Sequence, residues 1–211
     1  MLAAISVFWC MFTSAFYHTY QALGRKQYNC LLRADYIGIS IMTLGQSFCI
    51  AYTGFHANIE TRNVMIALIT AVFVSNLVVQ LNPCYMKKSF DFKRTLMFLW
   101  FILFGIALIL YLSFTANENS ELARAYTLMN MGVGYLLVGL VFFVGHMPER
   151  FLTILFGKRK SSRWIREMVQ LLIPSHALWH LAVYGNGYNI YWGIYYVNKH
   201  IEALSHSSGL I

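Results

Sequence analysis

The sequence predicts an all-α integral membrane protein, a six-helix bundle, and three observations carry that expectation. Only 11% of the 211 residues are charged and 58% are hydrophobic, whereas a soluble domain carries about 25% charged residues. Six apolar runs are each long enough to cross roughly 30 Å of hydrocarbon at about 1.5 Å per helical residue. None shows the apolar–polar alternation of a membrane barrel, so helices are the only sensible spanning structure. The basic residues cluster between the runs, which reads as membrane orientation and excludes a nucleic-acid-binding role. With no internal repeat and no low-complexity linker, residues 1–211 read as one transmembrane bundle.

The spans follow in order. The first, 2–21, begins directly after Met1 without the basic start of a signal peptide, and it carries Ser14 and His18 towards its far end. An outside N-terminus with nothing before it is awkward to insert, so one helix is expected to be missing upstream. The loop 22–33 holds Arg25, Lys26 and Arg33, and the second span, 34–56, opens on Asp35. The third span is 63–83, and the loop 84–94 holds Lys87, Lys88, Lys93 and Arg94. The fourth is 95–115. The fifth, 123–146, ends at His146 because Pro148 cannot continue a helix. The loop 147–173 holds Arg150, Lys158, Arg159, Lys160, Arg163 and Arg166. The sixth span, 174–197, carries His176 and His180, then Gly185, Gly187 and Gly193 where helices approach or kink.

Three alternate loops thus hold 13 of the 16 basic residues. The other side receives only Arg62, Arg124 and Lys199, beside Glu60, Glu118, Glu121 and Glu202. By the positive-inside rule the basic loops are cytoplasmic and both termini are outside or lumenal, in the plasma membrane or an endomembrane. Cys10, Cys30, Cys49 and Cys84 show no paired spacing, so a disulfide framework is not expected.

Ionisable residues inside spans are expensive, and function is their default explanation. The sidedness puts His18, Asp35, His176 and His180, from three helices, at one depth near the cytoplasmic face. His176 and His180 are four apart and share a helix face, a common way to give two nitrogens to one metal. His18 supplies a third ligand. Three protein ligands plus water is the pattern of a catalytic zinc, with Asp35 as base or water holder and Ser14 assisting. Blander readings stand beside this one. His18 sits among headgroups, and Asp35 pairs with Arg33 or caps its helix. His146 serves a helix end, while His56, His200 and His206 fall on the outer side. The run Lys158-Arg159-Lys160 faces lipid headgroups, and the aromatics from Tyr184 to Tyr196 form an outer belt.

Four segments carry a family likeness. They are Ser14-Ala15-Phe16-Tyr17-His18, Ala34-Asp35-Tyr36-Ile37-Gly38-Ile39, His146-Met147-Pro148-Glu149-Arg150-Phe151 and Ser175-His176-Ala177-Leu178-Trp179-His180. In order and spacing the chain resembles the progestin and adiponectin receptor family, within the superfamily of alkaline ceramidases and haemolysin-III-like proteins. The resemblance implies a seven-helix adiponectin-receptor-type fold, here lacking its first helix. It implies zinc on His18, His176 and His180, with Asp35 near the metal water. It also implies a receptor for a hormone or steroid, with ceramide hydrolysis in one branch. The segment between Arg150 and Ser175 is longer than the family's. It lacks the usual Pro-Gly-x-Phe-Asp run and holds the basic stretch and Trp164 instead.

The expectation is therefore a receptor-like membrane protein with a zinc site that hydrolyses lipid amides such as ceramide. Its partner is a membrane lipid or lipid-like molecule, with an extracellular hormone or steroid as a further ligand. The rival is a non-catalytic receptor in which zinc is purely structural. A weaker third reading is haem-binding electron transfer, since two histidines on one helix cannot oppose each other across one haem.

Overall fold

The computed structural model describes residues 1–20, 22–86, 90–116, 120–156 and 175–207. Among them every regular element is helical. The long helices are α1 (Leu2–Tyr20), α2 (Arg25–Gly54), α3 (Ile59–Leu81), α4 (Asp91–Thr115) and α5 (Ser120–Gly145). A 3₁₀ turn, Pro83–Met86, lies between α3 and α4, and a short α6 (Glu149–Phe156) precedes the longest helix, α7 (Ser175–Ser207). Each predicted span falls on one long helix. The cysteines are free thiols, with Cys10 buried and Cys30 and Cys84 exposed.

Most of the helices start before their predicted spans, and α7 also runs well past its own, for a physical reason. Hydrocarbon thickness limits the apolar stretch, but the hydrogen-bond ladder continues into the polar layers until something breaks it. Before α2 the breaker is Gly24, whose φ of 120° suits only glycine. Arg25, Lys26 and Arg33 therefore lie in the first turns of α2 and not in a loop. Asp35 lies well inside α2, so it does not cap that helix. The α3 start is capped conventionally, with Asn58 Oδ1 accepting from the Thr61 amide at 3.0 Å. At the end of α5, His146 adopts a φ of 50° and its carbonyl accepts from the Arg150 amide at 2.7 Å, which turns the chain into α6. Lys87, Lys88, Glu118, Lys158, Arg159, Lys160, Arg163, Trp164 and Arg166 lie outside the described residues.

Polarity is arranged inside out. Large apolar side chains such as Phe8, Val64, Trp100, Phe114 and Val141 are exposed, while Ser40, Gln46, Ser47, Asn76, Gln80 and Asn186 are buried. Only an apolar solvent makes that arrangement favourable. Part of this interior is hydrogen-bonded: Gln80 Nε2 donates to Ser40 Oγ of α2 at 2.6 Å and, within α3, to Asn76 Oδ1 at 2.7 Å. Among the described residues, four stretches, α1, α2, α3 and Glu121–Phe151, are long and apolar enough to cross a membrane. Helix α7 carries His176, His180, Asn186 and Asn189 along its length.

Two antiparallel pairs frame the bundle. In the α1–α2 pair, Gly38 lies against Thr13 and Cys10, where an added Cβ would collide with the Thr13 hydroxyl and press on the Cys10 backbone. In the α5–α7 pair, Gly139 meets Ala182, and further along Gly193 meets Ala125 and Met129. Small residues at these crossings let backbones approach closely, which is how helices pack when lipid removes the usual hydrophobic drive. The main apolar core, around Ile50, Ile69, Leu108, Leu112, Met129 and Ile190, fills the end away from the histidines. A second cluster of Cys10, Met42 and Val183, with Trp179 against it, lies nearer to them.

Candidate metal centre

Three imidazoles converge where α1 ends and α7 begins. His18 occupies the last turn of α1, and His176 and His180 occupy the first two turns of α7. His176 Nε2 lies 2.7 Å from His18 Nε2 and 3.1 Å from His180 Nε2. All three are partly buried, and their ligand atoms lie within 4.8 Å of one another.

This geometry suits a cation better than hydrogen bonds. An imidazole nitrogen carries either a hydrogen or an in-plane lone pair, so it bonds one neighbour at a time. His176 Nε2 faces two nitrogens at once, and a proton satisfies only one of those contacts. A metal ion accepts all three lone pairs together. Two nitrogens on a tetrahedral zinc, each about 2.05 Å from it, stand about 3.3 Å apart. The observed separations of 2.7 and 3.1 Å are slightly tighter. The donor set, three neutral-type nitrogens, is one that zinc favours.

Neighbours complete the site. Ser14, one turn before His18, places Oγ 3.3 Å from His180 Nε2. The carboxylate of Asp35, brought in by α2 and almost wholly buried, has the Ser14 hydroxyl and the His18 ring as its acting neighbours. The five residues singled out in the sequence therefore lie together. The other histidines stay apart: His146 sits in the α5–α6 turn, and His56 Nδ1 lies 3.1 Å from the Thr53 carbonyl at the other end of α2.

Several supporting residues escaped the sequence reading. Tyr28, assigned there to a loop, lies in α2, and its hydroxyl accepts from that of Tyr17 at 3.2 Å. Tyr17 in turn presents its ring to His18 at 4.7 Å between centroids. Phe143 of α5 packs against His176 at 5.5 Å and Trp179 at 5.7 Å. Glu149, quoted in the sequence only within a segment of family likeness and given no role there, accepts from the amide of the first residue of α7. The one available signal was adjacency: Tyr17 neighbours a candidate ligand, and an aromatic one turn from a helix end needs a partner.

The histidines open onto a cavity of about 820 Å³ that reaches from Tyr28 and His18 to Asn186 and Ile190. Its walls are mostly aliphatic and aromatic, including Ile39, Met42, Ile106, Leu136 and Val183. Along α7 it extends from His176 to Ile190, about 21 Å at 1.5 Å per residue. That exceeds the roughly 15 Å of hydrocarbon in one leaflet. A long, mostly apolar chamber, with the histidines and Asp35 at one end and Thr43, Gln46, Ser47 and Asn186 further along, suits an elongated amphiphile.

Comparison with known proteins places the chain among membrane proteins. A family model described as "Haemolysin-III related" matches residues 1–187. The chain is 22% identical over 186 residues to the "Adiponectin receptor protein" of Drosophila melanogaster, covering 88% of this chain and 39% of that protein. It is 28% identical over 166 residues to "Heptahelical transmembrane protein 1" of Arabidopsis thaliana, covering 77% of this chain and 49% of that protein. It is 25% identical over 187 residues to "Progestin and adipoQ receptor-like protein 1" of Caenorhabditis elegans, covering 88% and 40%. The chain thus spans about half the length, or less, of these curated relatives.

Proposed function

This chain belongs to the haemolysin-III-related family, which includes the progestin and adiponectin receptor-like proteins, and from that premise we propose that it hydrolyses a lipid amide at a zinc site. It is an integral membrane protein of a receptor-like family. One observation carries that reading: three imidazole nitrogens and a buried carboxylate stand together at one end of a mostly apolar cavity about 820 Å³ in volume.

His18, His176 and His180 would hold the ion. Zinc bound there supplies Lewis acidity, which polarises a carbonyl and makes water nucleophilic near neutral pH. The chain's own residues do the rest. Asp35 takes a proton from the attacking water and passes it to the leaving amine. Ser14 Oγ donates a hydrogen bond to the Asp35 carboxylate or to a substrate oxygen. Ile39, Leu136 and Val183 hold the acyl chain, and with Phe143 and Trp179 they keep bulk water from the reacting end. The substrate is a ceramide-like lipid that enters from the bilayer. The site faces the cytoplasm and both termini lie outside or lumenal, since the basic residues gather at the histidine end.

Metal analysis by mass spectrometry of detergent-purified protein, beside a His176→Ala/His180→Ala double variant, tests the reading. About one zinc per chain, lost in the variant, is expected, together with hydrolysis of a fluorescent ceramide by the parent alone. A folded parent without zinc sinks the proposal. Zinc without hydrolysis leaves the family's non-catalytic receptor role, with the metal tying α1 to α7.

A further inference from the structure

The histidine pair on α7 stands on a helix whose first turn is held from outside. The opening amides of any helix lack intrahelical acceptors, and a carboxylate is the strongest side-chain partner for them. Here Glu149 Oε1 accepts from the Ser175 amide at 2.7 Å, across 26 positions of sequence. The Ser175 hydroxyl and Glu149's own amide also act on that carboxylate. Ser175 is the first residue of α7, is buried, and directly precedes His176. Glu149 is itself placed, as the first residue of α6, by the turn at His146. From the end of α5, Phe143 packs its ring against His176. The α5–α6 corner therefore grips the first turn of α7 through one polar and one aromatic contact. That turn presents the nitrogen closest to both of its neighbours, His176 Nε2.

We propose that Glu149 is a positioning residue for the metal centre. Its carboxylate pins the first turn of α7 and so holds His176 at the spacing that His18 and His180 require. The metal consequence rests on the zinc reading above, while the pinning does not. Without the bond, the α7 start frays from Ser175, and His176 is lost from the cluster before His180, which sits one turn further in.

The experiment compares wild type, Glu149→Ala, Glu149→Gln and Ser175→Pro in detergent, with Co²⁺ as the probe. Ser175→Pro cuts the same bond from the donor side, at a helix position where proline is tolerated. Loss of a cap is expected to weaken Co²⁺ affinity about fivefold in Glu149→Ala and Ser175→Pro, with altered visible bands. Glu149→Gln keeps an acceptor and is expected to stay within about twofold of wild type. In metal-free protein, amide exchange at Trp179 and His180 should quicken in Glu149→Ala and Ser175→Pro, and not in α3 or α4. Wild type that binds Co²⁺, beside Glu149→Ala and Ser175→Pro proteins with unchanged affinity, bands and exchange, overturns the inference alone. Wild type that takes up no Co²⁺ overturns the zinc reading and the metal role of Glu149 with it, and exchange then decides the pinning.

Discussion

Replacing Asp35 by asparagine separates chemistry from architecture at this site. Asp35 is 7% exposed and lies well inside α2, so it caps nothing and its removal breaks no helix end. Asparagine keeps the volume and still offers an oxygen to Ser14. It also removes a buried charge, which relieves desolvation and offsets the cost of burying the new amide N–H donors. The three imidazoles stay where α1 and α7 hold them, so zinc content should remain about one per chain. What disappears is the proton acceptor. A positioned general base contributes roughly 100- to 10,000-fold, about 3–5 kcal/mol of barrier. Turnover of a fluorescent ceramide by Asp35→Asn in proteoliposomes should fall by at least about 100-fold while metal content stays unchanged. Turnover within about threefold of wild type, in a protein that keeps its zinc, would refute the assignment of Asp35 as the base. Loss of zinc together with turnover would show that Asp35 supports the metal instead.

Three further outcomes follow from the packing and the cavity. Gly139→Ala places a methyl against Ala182, with Trp179 Cε3 at 3.4 Å, and should destabilise the α5–α7 pair by about 1–3 kcal/mol in detergent unfolding, with weaker zinc retention. Val183→Phe projects extra bulk into the cavity that Val183 lines, and should raise KM for long-chain amides roughly tenfold while sparing zinc content and short-chain substrates. Cys30 and Cys84 are both exposed and both lie at the histidine end of the bundle, so a membrane-impermeant maleimide should label them only after cells are permeabilised. Labelling of intact cells would reverse the orientation.

How much was legible in the sequence depends on which interactions are local. The long helices and their order could be read because hydrocarbon imposes a minimum apolar length, and the pairing of His176 with His180 because four residues make about one helical turn. Their shared depth with His18 and Asp35 followed from chain direction alone, since alternate helix ends must return to the same side. Helix ends were less legible. The α2 start at Arg25 is set by Gly24, and α7 runs on to Ser207, past the last apolar run, where hydropathy carries no signal.

The sequence by itself determined the solvent, the number of long helices and the residues able to bind a metal, because each depends on composition or on spacing within one helix. Only the tertiary structure decided that α1 and α7 lie close enough for His18 Nε2 to stand 2.7 Å from His176 Nε2. It alone brought Glu149 to the α7 start, and it alone enclosed the cavity behind the histidines. Those outcomes depend on which helix faces meet. Complementary shape decides that, through Gly139 against Ala182 and Gly38 against Thr13, and it is a property of surfaces brought together by folding.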